Sequence, residues 1–113
     1  MHSPPEDALL LRIFLGEDDR ANGKPLYEAL VLKAREMGLA GATVLRGPMG
    51  FGRASRLHTT KILQLSNDLP IVVEIIDSRE HIDAFLRAIE PMMGSGLVTL
   101  EKATVIRYGD SKS

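Results

Sequence analysis

Apolar residues alternate along two short segments of the chain in the way that buried strands require. Segment 8–16 (ALLLRIFLG) ends in a glycine and has one wholly apolar face, while its other face is interrupted by Arg12. The wholly apolar face consists of Leu9, Leu11, Ile13 and Leu15. Segment 71–77 (IVVEIID) is rich in β-branched residues and is apolar on both sides except at Glu74. Both patterns predict strands.

The first helix is predicted from the spacing of apolar residues after a turn-rich connection, 17–25. Asn22-Gly23 in this connection is a hairpin signal. Pro25 and the helical recurrence of apolar residues after it favour a helix over 25–37 instead. The recurring residues are Leu26, Leu30, Ala34 and Met37.

The remaining elements follow from similar signals. A second amphipathic helix is predicted over 78–90, opened by Asp77-x-x-Glu80 in the manner of a capping box. Segment 42–47 is strand-like, and segment 96–109 supplies the last strand or pair of strands.

This order of elements predicts the fold. Strand, helix, strand, long connection (47–69), strand, helix and strand form an α+β, ferredoxin-like βαββαβ sandwich, in which two helices cover one face of an antiparallel sheet. We expect one domain over 1–113 with an ordered core at about 8–109. Leu10 and Phe14 are left for the opposite face, and an apolar sheet face this large predicts self-association.

Composition excludes several classes of function. The formal net charge is −1 and only 4% of residues are aromatic, which argues against a nucleic-acid partner. Cysteine is absent, and the three histidines (His2, His58 and His81) are far apart, so we expect neither a metal site nor a cofactor. No apolar run approaches the roughly 18 residues that span a bilayer, and no secretory signal opens the chain. We therefore expect a cytoplasmic protein that is not embedded in a membrane.

A basic, glycine-bearing segment is the first candidate for chemistry. Residues 46–67 contain no Asp or Glu but include three arginines and one lysine. Glycine N–H groups and arginine side chains suit phosphate or carboxylate ligands. The spacing Gly47-x-x-Gly50-x-Gly52 is neither a dinucleotide fingerprint nor a Walker loop. The alternative is a surface loop whose basic side chains are only solvated.

Glu74 is the second candidate, because a carboxylate within an apolar strand is costly unless it is paired. We expect a basic partner on a neighbouring strand, and the candidates are Arg12, Lys102 and Arg107. The alternative is a carboxylate that faces a ligand or acts in catalysis.

Three longer segments carry a family resemblance. They are LGEDDRANGKPLYEALVLKAREMGLAGATVLRGPMGFG, LSNDLPIVVEIID and GLVTLEKATVIRYG. Together they resemble the bacterial and archaeal PII-like family known as domain of unknown function 190 (DUF190), from about Leu9 to Gly109. The most specific features are RG-x-x-GFG combined with LS-x-DLP.

The resemblance implies a ferredoxin-like fold and, by analogy with PII signalling proteins, a trimer whose sheets pack around a central axis. It places 47–69 where PII proteins carry a regulatory loop that reaches enzymes or transporters. It also implies clefts between subunits that bind adenine nucleotides.

Our leading hypothesis is thus a non-enzymatic regulatory homotrimer that binds a small anionic ligand, such as an adenine nucleotide, and engages a protein target through 47–69. The alternatives are a small enzyme that uses Glu74 or His58 as a base, and an interaction module without a ligand. No catalytic residue is assigned. The predicted ligand-binding residues are Arg46, Gly47, Gly50, Phe51, Gly52, Arg53, Lys102 and Arg107.

Overall fold

The computed structural model describes residues 4–50, 69–94 and 96–109. Strands and helices account for most of these residues, and a short 3-10 turn (Glu90–Met92) follows the second helix. In chain order the elements are β1 (Asp7–Gly16), β2 (Arg20–Ala21), β3 (Lys24–Pro25), α1 (Leu26–Glu36), β4 (Thr43–Arg46), β5 (Pro70–Asp77), α2 (Arg79–Ile89) and β6 (Leu97–Thr104).

Four of the strands form one antiparallel sheet in the order β4-β5-β1-β6. Strand β1 lies between β5 and β6, so the first strand of the chain is central. Each helix connects two strands that are not neighbours in the sheet, and the strand between them comes from the other half of the chain. This interleaving is the ferredoxin-like βαββαβ arrangement, and it confirms the predicted fold.

The hydrophobic core lies between the two helices and one face of the sheet. The apolar face predicted for β1 is buried there, with Leu11 and Ile13 fully inaccessible to solvent. On α2, apolar residues recur every three or four positions, which turns one stripe of the helix to the sheet. The largest fully buried apolar side chains are Leu11, Ile13, Leu30, Ile71, Val73, Ile75, Ile82, Phe85 and Ile89.

The interpretation of 17–25 as a connection without a hairpin was wrong. Strands β2 and β3 pair across Asn22 and Gly23, whose φ angles are +53° and +82°. Two successive left-handed residues of this kind make the tight turn that Asn-Gly favours. Helix α1 begins immediately afterwards, where the Leu26 N–H donates to the Asp19 carbonyl at 2.7 Å. Hairpin and helix were therefore not alternatives.

The capping residue of α2 is Ser78, one position after the predicted Asp77. Its hydroxyl accepts the His81 N–H at 3.2 Å. Asp77 is fully buried, and its carboxylate accepts the N–H groups of Ala40 at 2.9 Å and Ser78 at 2.7 Å. This carboxylate therefore ties the connection between α1 and β4 to the end of β5.

We expect Asp77→Asn to destabilise the fold by about 1–3 kcal/mol, because the amide nitrogen cannot accept the N–H group that one carboxylate oxygen accepts now. Urea unfolding measures the change. Asp83→Asn is the control: Asp83 is a partly exposed residue on α2, and we expect a change of about 0.5 kcal/mol or less. Equal losses of stability in the two variants would contradict the role assigned to Asp77.

Candidate ligand-binding cleft

The face of the sheet opposite the helices carries exposed apolar side chains. Strand register places Leu10 beside Ile76, and Phe14 beside both Val72 and Leu97. Four of these large side chains are between 36% and 60% exposed in the single chain, namely Phe14, Leu45, Ile76 and Leu97. We call this surface the open face; its apolar residues are Leu10, Phe14, Leu45, Val72, Ile76 and Leu97.

An ion cluster lies in the middle of the open face. The Arg12 Nε donates to Glu74 Oε2 at 2.9 Å, and its Nη1 donates to Glu101 Oε1 at 2.7 Å. These hydrogen bonds, first to Glu74 and then to Glu101, raise the pKa of Arg12 above its already high usual value. One guanidinium thus links three strands and leaves the cluster with a net charge of −1.

The ion cluster shows which of the expected basic residues forms a salt bridge with Glu74. Arg12 was one of the three expected partners and is the partner observed. Lys102 pairs with Leu9 in the sheet, so it lies on the helix side of β6. Arg107 follows the end of β6 and lies in a cleft instead.

One end of the open face leads into a cleft of about 500 Å³. Glu74 belongs to both the ion cluster and the cleft wall. The cleft is mostly apolar with a few polar groups, and its volume falls within the range of about 300–1,000 Å³ that is typical of small-molecule sites. Its lining residues are Pro4, residues 40–43, Glu74, Ile76 and residues 103–108.

The chain after β6 forms one wall of this cleft. We call residues 105–109 the C-terminal strap. It leaves the sheet where the Val105 N–H donates to the Glu6 carbonyl at 2.8 Å, and it reaches the α1–β4 connection where the Tyr108 hydroxyl donates to the Ala40 carbonyl at 2.6 Å. The prediction that a strand or pair of strands continues to 109 was therefore wrong, because β6 ends at Thr104.

The cleft contains groups that the sequence did not single out. The backbone of 40–43, Thr43 and Tyr108 were not predicted as site residues, whereas Arg107 was. An aromatic residue with a polar tip near the end of segment 96–109 was the one local signal for Tyr108. Its partner Ala40 is far away in the sequence, so no local pattern pairs them.

The first predicted ligand residues lie at the base of the long connection and outside the cleft lining. Arg46 ends β4 and forms a salt bridge with Glu17. The Gly47 N–H donates to the Pro70 carbonyl at 2.8 Å, and a Cβ added at Gly47 would lie 2.9 Å from Pro70 Cγ. Gly50 is nearly as close, since a Cβ added there would lie 3.2 Å from the same atom. Both glycines therefore allow Pro70 to approach, which is a packing role.

Those predicted ligand residues that the structure describes are thus not brought together within one chain. Arg107 lines the cleft, while Lys102 and Arg46 lie on the helix side of the two edge strands. Phe51, Gly52 and Arg53 lie outside the described residues, as does His58.

A serine, a histidine and an aspartate meet at the start of α2, but their geometry is that of a helix cap. The Ser78 hydroxyl lies 2.8 Å from His81 Nδ1, and Asp77 Oδ1 lies 3.7 Å from the same nitrogen. A catalytic triad needs the serine and the aspartate on opposite ring nitrogens. This arrangement therefore does not activate the serine.

Two further kinds of site were sought among residues 4–50, 69–94 and 96–109. They contain no group of three or more His, Asp or Glu side chains that could hold a metal ion. No helix in the same part of the chain is long and apolar enough to cross a bilayer.

Comparison with protein families identifies the chain. The family model for DUF190, described as an uncharacterized ACR, matches residues 8–105. The chain belongs to the DUF190 family. A UPF0166 protein of Aquifex aeolicus is 47% identical to it over 97 residues, which cover 86% of this chain and 91% of that protein. The resemblance noted in the sequence is confirmed.

Solved structures similar to this DUF190 protein have a PII-like fold. CPII from Thiomonas intermedia K12, solved with ADP and bicarbonate, superposes with a TM-score of 0.66 at 19% identity, covering 89% of this chain and 90% of CPII. A putative PII-like signaling protein from Thermus thermophilus gives a TM-score of 0.60 at 17% identity, covering 92% of this chain and 94% of that protein. At these identities the likeness establishes the fold.

We expect Arg12→Met to lower the urea midpoint of this DUF190 protein slightly, because two partly exposed ion pairs are lost and two carboxylates on the same face are left without a cation. Adding Glu74→Gln to Arg12→Met should recover part of the loss, since one of the two carboxylates is removed. Arg87→Met, on the exposed side of α2, is the matched control and should change little. A double variant less stable than Arg12→Met would contradict the ion cluster as described.

Proposed function

We propose that this DUF190 protein is a PII-like regulatory protein of the cytoplasm. It forms a homotrimer, binds an adenine nucleotide at the boundaries between subunits, and acts on a partner protein through residues 47–69. The observation that carries the proposal is the cleft at the edge of the open face, where Glu74 belongs to both surfaces.

The open face supports self-association. Its exposed apolar side chains lie on both sides of the Arg12 ion cluster, and apolar surfaces of this kind on soluble proteins usually mark interaction sites. The ion cluster spans three strands and holds its charges at fixed positions within this surface. A second copy that placed apolar side chains over these charges would bury them without partners, which is costly, so the cluster favours one alignment of the two copies. A second copy on the open face would extend to the mouth of the cleft, because Ile76 belongs to both.

The groups in the cleft suit an adenine nucleotide. Its apolar lining can hold a base, while Glu74 and the backbone of 41–43 offer hydrogen-bonding groups to an amino group or a ribose. Arg107 offers a guanidinium to a phosphate. The ADP-bound state of the similarly folded CPII supports the same ligand class for this protein.

The basic segment is the part of the chain that would bind a partner protein. Residues 46–67 carry positive charge without any Asp or Glu, and they begin at Arg46 on the edge strand β4. A nucleotide at the subunit boundary would select one arrangement of 47–69, and a target transporter or enzyme would bind that arrangement. In switches of this kind, the ligand makes different contacts with two states of the protein and thereby favours one of them.

We expect ADP to bind the wild-type protein in a calorimetric titration, and Arg107→Met to weaken that binding about 10- to 100-fold, because one charge-assisted contact to phosphate is lost. Arg87→Met is the matched control, since Arg87 lies on α2 away from the cleft, and its affinity should equal that of the wild type.

Two outcomes of this titration would count against the proposal. No heat above background with the wild type would remove the nucleotide. Equal weakening by Arg107→Met and Arg87→Met would show that net charge, rather than the cleft, determines the affinity.

We expect Ile76→Asp to dissociate the assembly, because it introduces a charge into the apolar open face. Leu32→Asp is the matched control: Leu32 is 45% exposed on α1 and Ile76 is 40% exposed on β5. Sedimentation velocity should therefore show single chains for Ile76→Asp and trimers for Leu32→Asp and the wild type. Single chains for the wild type at micromolar concentration would contradict the assembly.

A further inference from the structure

The C-terminal strap crosses one end of the sheet and is held by a hydrogen bond on each side of the cleft. It begins beside β1, where Val105 bonds to Glu6, and it is fastened beyond β5, where Tyr108 bonds to Ala40. The residues between these two points line the cleft, and Arg107 is the residue directly before the second attachment. The hydroxyl of Tyr108 therefore joins one wall of the cleft to the other.

The wall that receives Tyr108 is held rigidly. Ala40 is 6% exposed, and its N–H is bonded to the fully buried Asp77 carboxylate at 2.9 Å. The preceding Leu39 is also buried, and its N–H donates to the Ala34 carbonyl at the end of α1 at 3.0 Å. The Ala40 peptide is thus a fixed acceptor.

The strap itself is held much less. Its side chains are mostly exposed to solvent, and Ile106 is 89% exposed. Segments with few buried apolar contacts open at a low free-energy cost, so single hydrogen bonds have a large influence on how often they open. The strap is therefore the wall of the cleft that can move.

We infer that Tyr108 is a positioning residue, which latches the strap to Ala40 and thereby holds Arg107 over the cleft. The inference rests on the proposed function for the identity of the ligand, but the latch itself is a property of the unliganded protein. Without the latch, the strap opens more often, and a bound nucleotide loses the wall that carries the guanidinium.

The test compares Tyr108→Phe, which removes only the hydroxyl, with Tyr27→Phe. Tyr27 is the other tyrosine of the chain; it lies on α1 and packs against the core. Hydrogen exchange of the unliganded proteins, resolved by residue, should show the Val105 amide, which donates to the Glu6 carbonyl at the start of the strap, exchanging about 3- to 10-fold faster in Tyr108→Phe, the factor that one net hydrogen bond supplies. Exchange in β1 and β5 should stay as in the wild type, and Tyr27→Phe should leave the strap unchanged.

Stopped-flow measurements with ADP complete the test. Tyr108→Phe should raise the dissociation rate constant by a similar factor and change the association rate constant much less, since loss of a contact that holds one wall of a site acts mainly on dissociation. Unchanged exchange of the Val105 amide, or ADP dissociation equal to that of the wild type, would overturn the inference. If the wild type binds no ADP, the proposed function fails, and the exchange measurement still decides whether the latch exists.

Discussion

Two helices can cover only one face of a four-stranded sheet, and this constraint shapes the rest of the molecule. The side of β1 that carries Leu11 and Ile13 is buried under the helices, while the side that carries Leu10 and Phe14 is left in contact with solvent. Burial of a large aliphatic or aromatic side chain contributes about 1.5–3 kcal/mol, so the open face holds a considerable free energy that association with identical copies would release.

Glu74 lies where the open face meets the proposed ligand-binding cleft. Its carboxylate is bonded to Arg12 on the open face, and the same residue lines the cleft. A ligand that contacts Glu74 therefore acts on a group whose partner, Arg12, lies in the open face, which is the surface proposed to lie between copies. Ligand binding and assembly are then thermodynamically linked, and each should strengthen the other if the ligand prefers the assembled arrangement.

The sequence predicted the features that depend on local pattern. Alternation in β1 identified its buried face, and the isolated carboxylate in β5 predicted a basic partner that proved to be Arg12. Features that depend on distant contacts were missed: Tyr108 and Ala40 are 68 residues apart, and nothing near either residue points to the other. The hairpin at Asn22-Gly23 was missed for a different reason, since the turn and helix signals were weighed as competitors although two short strands leave room for both.

The central claim is that identical copies cover the open face and that the clefts at their boundaries bind an adenine nucleotide. Native mass spectrometry of the wild-type protein with ADP tests both parts in one measurement. The account predicts a trimer that carries up to three ADP molecules, with no ADP on any residual single chains. Single chains as the main species, or ADP bound equally to single chains and trimers, would contradict it.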